Sequence, residues 1–97
     1  MTYVFRGIDR MVLEAVSDDY QPFESVARKL SNAHAGTWAI IDVERMLLIS
    51  IANKLVAAYL IHADPPYATE VGADSTTIRR YWFCITEEGR KHLRRIR

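Results

Sequence analysis

One cysteine in 97 residues, Cys84, excludes an internal disulfide, so the fold cannot be stapled by cross-links and a reducing compartment is expected. Four glycines and three prolines are too few for a collagen-like repeat or a Pro/Gly-rich disordered chain. Neither charge sign dominates: 13 Lys and Arg face 12 Asp and Glu, a formal net charge of +1, and that total demands no polyanionic partner. His34, His62 and His92 stand far apart, without Cys or carboxylate at ligand spacing, and no Cys-x-x-Cys or His-Glu-x-x-His occurs. Gly-rich phosphate loops and a Gly-x-Ser-x-Gly elbow are also missing. Asp18-Asp19 and Glu87-Glu88 are adjacent carboxylates that read as helix ends rather than as a converging acid–base pair. No enzymatic activity, metal or cofactor is therefore expected. Met1–Arg6 has no apolar run of the signal-peptide kind. The greasiest stretch, 43–61, carries Glu44, Arg45, Asn53 and Lys54, each costly at membrane depth. It reads as buried helix plus strand, in a cytoplasmic protein with no membrane partner.

What is present is an ordinary globular composition, 49% hydrophobic and 26% charged, in a chain sized for one domain over 1–97. Phe5, Ile8, Val12, Ala15 and Val16 recur at helical spacing and predict a first helix over about 6–17, stopped by Asp18-Asp19. Gln21-Pro22-Phe23 reads as a short extended link, because proline disfavours helix in the residue before it. A second helix is expected over about 24–33, with Val26, Ala27 and Leu30 inward, broken by His34-Ala35-Gly36-Thr37. Asp42 is a plausible N-cap for a third helix over about 43–58, leading into a strand at 59–63. Residues 64–78 read as a long loop, and 79–86 as a second strand with Tyr81, Phe83 and Ile85 on one face. Thr86 can cap a last helix that has Glu87-Glu88 at its positive end and basic residues at its negative end.

Helix, link, helix, turn, long helix, strand, loop, strand, helix is an α+β order, and its two strands should pair as a hairpin. Two stretches carry a resemblance. Leu48, Ala52 and Leu55 lead into Val56-Ala57-Ala58-Tyr59-Leu60-Ile61; Tyr81-Trp82-Phe83-Cys84-Ile85 leads into Thr86-Glu87-Glu88-Gly89. This resembles the winged helix-turn-helix domain of PadR-like and MarR-like transcription regulators, whose second wing strand runs into Thr-x-x-Gly at the closing helix. The resemblance implies three helices, a two-stranded hairpin wing and a short C-terminal helix. It also implies a regulator that binds double-stranded DNA, with the third helix in the major groove and the wing on the backbone. Tyr59 departs from the pattern, since the family usually has Gly at the exit of that helix, where a left-handed turn suits it. Residues 34–41 are longer than a tight helix-turn-helix joint. The extra dimerisation helices of those families have no counterpart within 1–97, so a homodimer would have to use the core domain.

If Leu48, Ala52 and Leu55 point inward, Met46, Ser50, Asn53 and Ala57 lie opposite, flanked by Ile49 and Lys54. Arg45, Ser50, Asn53 and Lys54 are then the candidate DNA contacts on the helix, while Asp42 and Glu44 at its N-terminus would repel phosphates. Thr76, Thr77, Arg79 and Arg80, at the base of the wing, are candidates for backbone contact; Arg79 and Arg80 could equally protect an edge strand from unwanted pairing. Met46-Leu47-Leu48-Ile49 makes the same helix apolar nearly all round, which suggests burial on both sides. The alternative function is therefore a protein-interaction module using the apolar third helix, without DNA; Met46, Ile49 and Val56 would be its partner surface, or the interface of the homodimer expected of the DNA-binding regulator. Charge is skewed along the chain: 1–77 hold 6 Lys/Arg against 10 Asp/Glu, and 78–97 hold 7 against 2. A polyanion would meet the C-terminal end, unless those cations only complement the dipole of their own helix. Cys84 reads as an inert small residue, and Trp82 as the surface-facing member of the aromatic run.

Overall fold

The computed structural model describes residues 6–33, 40–63 and 66–96. Helix α1 (Arg6–Ala15) is followed by a two-residue strand β1 (Gln21–Pro22), helix α2 (Phe23–Ala33) and helix α3 (Ile40–Ala52). Strands β2 (Val56–Ala63) and β3 (Pro66–Val71), a 3-10 turn (Ile78–Arg80), strand β4 (Trp82–Ile85) and helix α4 (Glu87–Ile96) complete the order. Among the described residues the chain is thus α+β, with four helices and one antiparallel sheet in the order β1-β4-β2-β3. Phe5, the Ile8 side chain, the His34–Thr37 break and Pro65 lie outside the described residues or side chains. Among the described residues, no helix is long and apolar enough to cross a membrane.

The core follows from apolar residues at helical spacing meeting the inward face of the sheet. Val12 and Leu13 of α1, Val16 just after it, Val26 and Leu30 of α2, and Val43 and Leu47 of α3 are almost wholly removed from water. They pack with Phe83 and Ile85 of β4 and with Val56 and Ala58 of β2, which lie opposite one another in the register Val56↔Ile85 and Ala58↔Phe83. Ile78, fully buried, plugs the space beside α2 and α3 from the 3-10 turn.

Three sequence expectations need correction. The third helix stops at Ala52 rather than continuing to 58, because the chain turns left-handed at Lys54 (φ 63°). There the Lys54 N–H donates to the Ile51 carbonyl at 2.9 Å and the Leu55 N–H to the Ser50 carbonyl at 2.9 Å. This crossed pair is the Schellman closure, normally built on Gly or Asn. The reversal expected near Tyr59 therefore falls five residues earlier, and Tyr59 sits inside β2 with its ring edge-on to Tyr20 at 4.9 Å. Helix α3 also starts at Ile40, which places Asp42 inside its first turn rather than at the cap.

The second correction concerns the expected loop 64–78. Its first half forms β3, paired with β2 from Ala63↔Pro66 to Ala58↔Val71. As the edge strand, β3 tolerates Pro66, which lacks an N–H for the ladder, and leaves Thr69 and Glu70 exposed. The third concerns residues 79–86: Ile78–Arg80 coil into the 3-10 turn, and only Trp82–Ile85 remain extended. The two strands expected to form a hairpin do pair directly, while β3 adds a further strand on the outer side of β2.

Helix α4 starts where the sequence places it. The Thr86 hydroxyl accepts the Gly89 N–H at 2.9 Å and donates to the Lys54 carbonyl at 2.6 Å. The Thr86 N–H reaches the Leu55 carbonyl at 3.0 Å. Gly89 lies so close to the exit of α3 that a Cβ there would run into the Leu55 carbonyl oxygen and stand 2.7 Å from Cγ1 of Ile85. This accounts physically for Thr-x-x-Gly: the hydroxyl ties two elements together, and the glycine lets their backbones touch. Gly89→Ala should consequently cost about 2–3 kcal/mol. Urea unfolding should show a lowered midpoint with unchanged slope; a midpoint equal to wild type would mean that α4 can back away without loss.

Candidate nucleic-acid interface

Helix α3 is turned to nearly the opposite side from the expected one. Val43, Met46, Leu47 and Ser50 face the core, Leu48 and Ile51 are half-buried, and Ala52 is exposed. Ser50 is 1% exposed, and its hydroxyl donates to the Met46 carbonyl at 2.8 Å, so it cannot reach a groove. Met46 at 9% and Val56 at 2% are core residues and supply no partner surface; of that proposed trio only Ile49 is exposed, at 45%. The helix is apolar on nearly every side, so its periodicity contains no unique phase. The face toward solvent is Ile41, Arg45, Ile49 and Ala52, at spacings of three and four residues.

The remaining DNA candidates divide by what their polar atoms already do. The Asn53 side-chain amide donates to the Ile49 carbonyl at 2.9 Å, serving the end of α3. Thr76 and Thr77 donate their hydroxyls to one carboxylate oxygen of Asp74, at 2.6 and 3.2 Å. Their N–H groups reach the same oxygen at 2.8 and 3.1 Å. These four donors hold the exposed Asp74 carboxyl below its usual range, the Thr76 hydroxyl foremost. Arg79 is ion-paired through Nε to the Glu44 carboxylate, and its guanidinium carbon lies 6.0 Å from the Phe23 ring centre. The Glu44 side chain is only 11% exposed and that of Arg79 62%, so the arginine reaches inward to satisfy a nearly buried carboxylate near the start of α3. Arg79 is thereby a strut between the 3-10 turn and α3 rather than a spare cation.

Arg45, Lys54 and Arg80 are exposed and make no ion pair with a carboxylate among the described residues. Arg79 ties the 3-10 turn, which also holds Arg80, to Glu44, the chain neighbour of Arg45 in α3. Lys54 is nine residues further along the same segment, about 14 Å at the helical rise. The β2–β3 hairpin brings no cation at all: residues 56–71 contain Asp64 and Glu70 and no Lys or Arg. What it offers is apolar. Leu60 is 41% and Tyr67 52% exposed, on the sheet face shared with Val56 and Ala58. The His62 ring stacks on Tyr67 with centres 4.1 Å apart, and the Thr69 hydroxyl lies 3.3 Å from His62 Nε2.

Sequence reasoning missed the Arg79–Glu44 pair, whose members are 35 positions apart, and the exposure of Ile40 and Ile41. The shortage of cations on the hairpin was readable from composition, once residues 66–71 were recognised as a strand. Cys84 is half-buried on the outer side of the sheet, and burial pushes its thiol up. Tyr59 is likewise raised, first by burial and then by the Glu70 carboxylate across the strand pair. No group of three His, Cys, Asp or Glu residues that could hold a metal occurs among the described residues. Comparison of the chain with family models, curated proteins and solved structures finds no match.

Two outcomes are expected. A double-mutant cycle on Arg79→Ala and Glu44→Ala should give a coupling of about 1 kcal/mol in urea unfolding, and additive effects would remove the strut. Carboxyl NMR should place the Asp74 titration below the ordinary Asp range. Because the folded value is depressed, its contribution is fully present above the ordinary Asp value and is lost progressively as the pH falls from there through the lowered value. In Thr76→Val/Thr77→Val the titration should rise toward the ordinary range; an unchanged position would mean that the hydroxyls do not hold the carboxylate.

Proposed function

We propose that the chain is a winged-helix domain that binds double-stranded DNA as a transcriptional regulator. Its α3 would lie along the duplex, with the β2–β3 hairpin as the wing. The observation that carries this reading is the set of exposed cations Arg45, Lys54 and Arg80 around α3, without carboxylate partners among the described residues. The element order supports it: α2 and α3 are followed by an antiparallel hairpin, and β4 returns between β1 and β2. Base readout by α3 falls to few side chains. Arg45 can present two donors to guanine O6 and N7, and Ile41, Ile49 and Ala52 can meet thymine methyl groups. Most of the binding energy then comes from phosphates and depends steeply on salt.

A second reading rests on a specific observation. Of the large apolar side chains left exposed among the described residues, Ile40, Ile41 and Ile49 lie on α3, and Leu60 and Tyr67 on the hairpin. A protein partner, including a second copy of the chain, would bury Ile41 and Ile49 favourably; each is about half exposed, so covering the remainder would contribute about 1 kcal/mol apiece.

Fluorescence anisotropy with a labelled duplex, titrated with salt, tests the first reading. Wild type should bind at low salt, and Arg45→Gln/Lys54→Gln/Arg80→Gln should flatten the log K against log salt slope by about 3. Absence of binding at low salt would defeat the DNA reading. Size-exclusion chromatography with light scattering on wild type and Ile41→Ser/Ile49→Ser addresses the second. A concentration-dependent dimer lost in the variant would favour self-association.

A further inference from the structure

We infer that α4, the closing helix, is a second phosphate-contacting surface that grips a nucleic-acid backbone independently of α3 and the hairpin. The inference rests on the nucleic-acid reading above and adds to it the element that holds four of the thirteen Lys and Arg residues, more than any other helix or strand.

Helix α4 has one inward side, on which Gly89 and Leu93 are buried and Ile96 packs against the core. Its outward side is Arg90, Lys91, Arg94 and Arg95, all exposed. Two of these already have neighbours. Arg90 donates to the Ser17 carbonyl at 3.3 Å, and Lys91 lies 3.6 Å from Glu88 with both side chains more than half exposed. A pair so exposed is worth little and is readily exchanged for a phosphate. Arg94 and Arg95 have no carboxylate partner among the described residues. The helix's own acids, Glu87 and Glu88, are confined to the first turn, where they complement the positive end of the dipole.

Dipole compensation does not account for this much charge. The C-terminal end of a helix carries roughly half a negative charge. Arg94 and Arg95 alone exceed that several-fold, and Lys91 precedes them by one turn. Lys91, Arg94 and Arg95 are spread over about 6 Å of helix axis, a density of positive charge suited to neighbouring backbone phosphates.

The chemistry selects the partner. An anionic membrane would be met by an in-plane helix whose apolar side enters the lipid, but the apolar side of α4 is spent on the core. The outward side holds no aromatic ring for stacking and no Asn or Gln for an adenine edge, so it reads phosphates and not sequence. The remainder of the molecule steers in the same direction, because residues 1–77 carry more acid than base. The Thr86 cap and the Gly89 contact hold α4 rigidly, so the cations are presented without ordering a loose segment.

The test uses the full chain and a labelled random-sequence duplex. Three proteins are titrated with salt: wild type, Lys91→Gln/Arg94→Gln/Arg95→Gln, and Arg45→Gln/Lys54→Gln/Arg80→Gln. The expected result is a slope flatter by about 3 in the α4 variant, with the loss persisting when it is combined with the α3 variant. Arg94→Lys/Arg95→Lys should keep the wild-type slope, and circular dichroism with urea unfolding verifies that each protein is folded. A wild-type slope in the α4 variant, alongside a reduced one in the α3 variant, overturns this inference and leaves the DNA reading standing. No binding by wild type overturns both. Vesicles of equal parts phosphatidylserine and phosphatidylcholine should not bind; binding lost in the α4 variant would overturn the nucleic-acid assignment.

Discussion

The backbone contact between the exit of α3 and the start of α4 holds this fold in its arrangement. A lysine is held left-handed at position 54, which ends α3 and sends the chain into β2. The two carbonyls exposed by that turn, of Lys54 and Leu55, are both answered from Thr86. Thr86 in turn accepts the Gly89 N–H that opens α4. A single threonine thus satisfies the end of one helix and the beginning of another. That economy is possible only because Gly89 has no side chain to keep the backbones apart. If this junction shifts, the register of β4 against β2 and the seat of Leu93 must shift with it.

The same principle governs the charge around α3. A nearly buried carboxylate, Glu44, needs a counter-charge, and Arg79 supplies it from a distant segment. The consequence is structural and electrostatic together. The 3-10 turn is fastened to α3, which helps to seat Ile78 in the core, and one of the two arginines at the base of the hairpin is neutralised. In the same way, Asp74 consumes the hydroxyls of Thr76 and Thr77. Groups that look available in a list of polar residues are engaged in holding loops. The surface left beside α3 is sparsely charged and notably apolar.

Positive charge is concentrated instead on α4, where packing uses Gly89, Leu93 and Ile96 and leaves Arg90, Lys91, Arg94 and Arg95 outward beyond the two acids of the first turn. The molecule therefore presents two chemically different outer surfaces. One is the α3 and hairpin side, with isoleucines, Leu60 and Tyr67 around a few cations; the other is the basic side of α4. Because α4 is anchored at the exit of α3, the two are fixed relative to the same junction.

The α+β character of the chain, the four helices found among the described residues, the inward pattern of Phe83 and Ile85 and the Thr86 cap were legible from residue pattern. Each follows from local periodicity or a side chain bonding to its own neighbourhood. The sequence by itself also contained the polarity of charge along the chain. Packing set which side of α3 is buried, because a helix apolar all round settles wherever the sheet and α2 leave room. It decided the end of α3 as well, since a lysine at φ 63° carries none of the signal that glycine would. It made a strand of residues 66–71, since an edge position tolerates Pro66, which has no N–H for the ladder. And it turned Ser50 and Arg79 from candidate contacts into structural parts: the partners that engage or bury them belong to distant segments or to the packing of the whole helix, beyond the reach of local pattern.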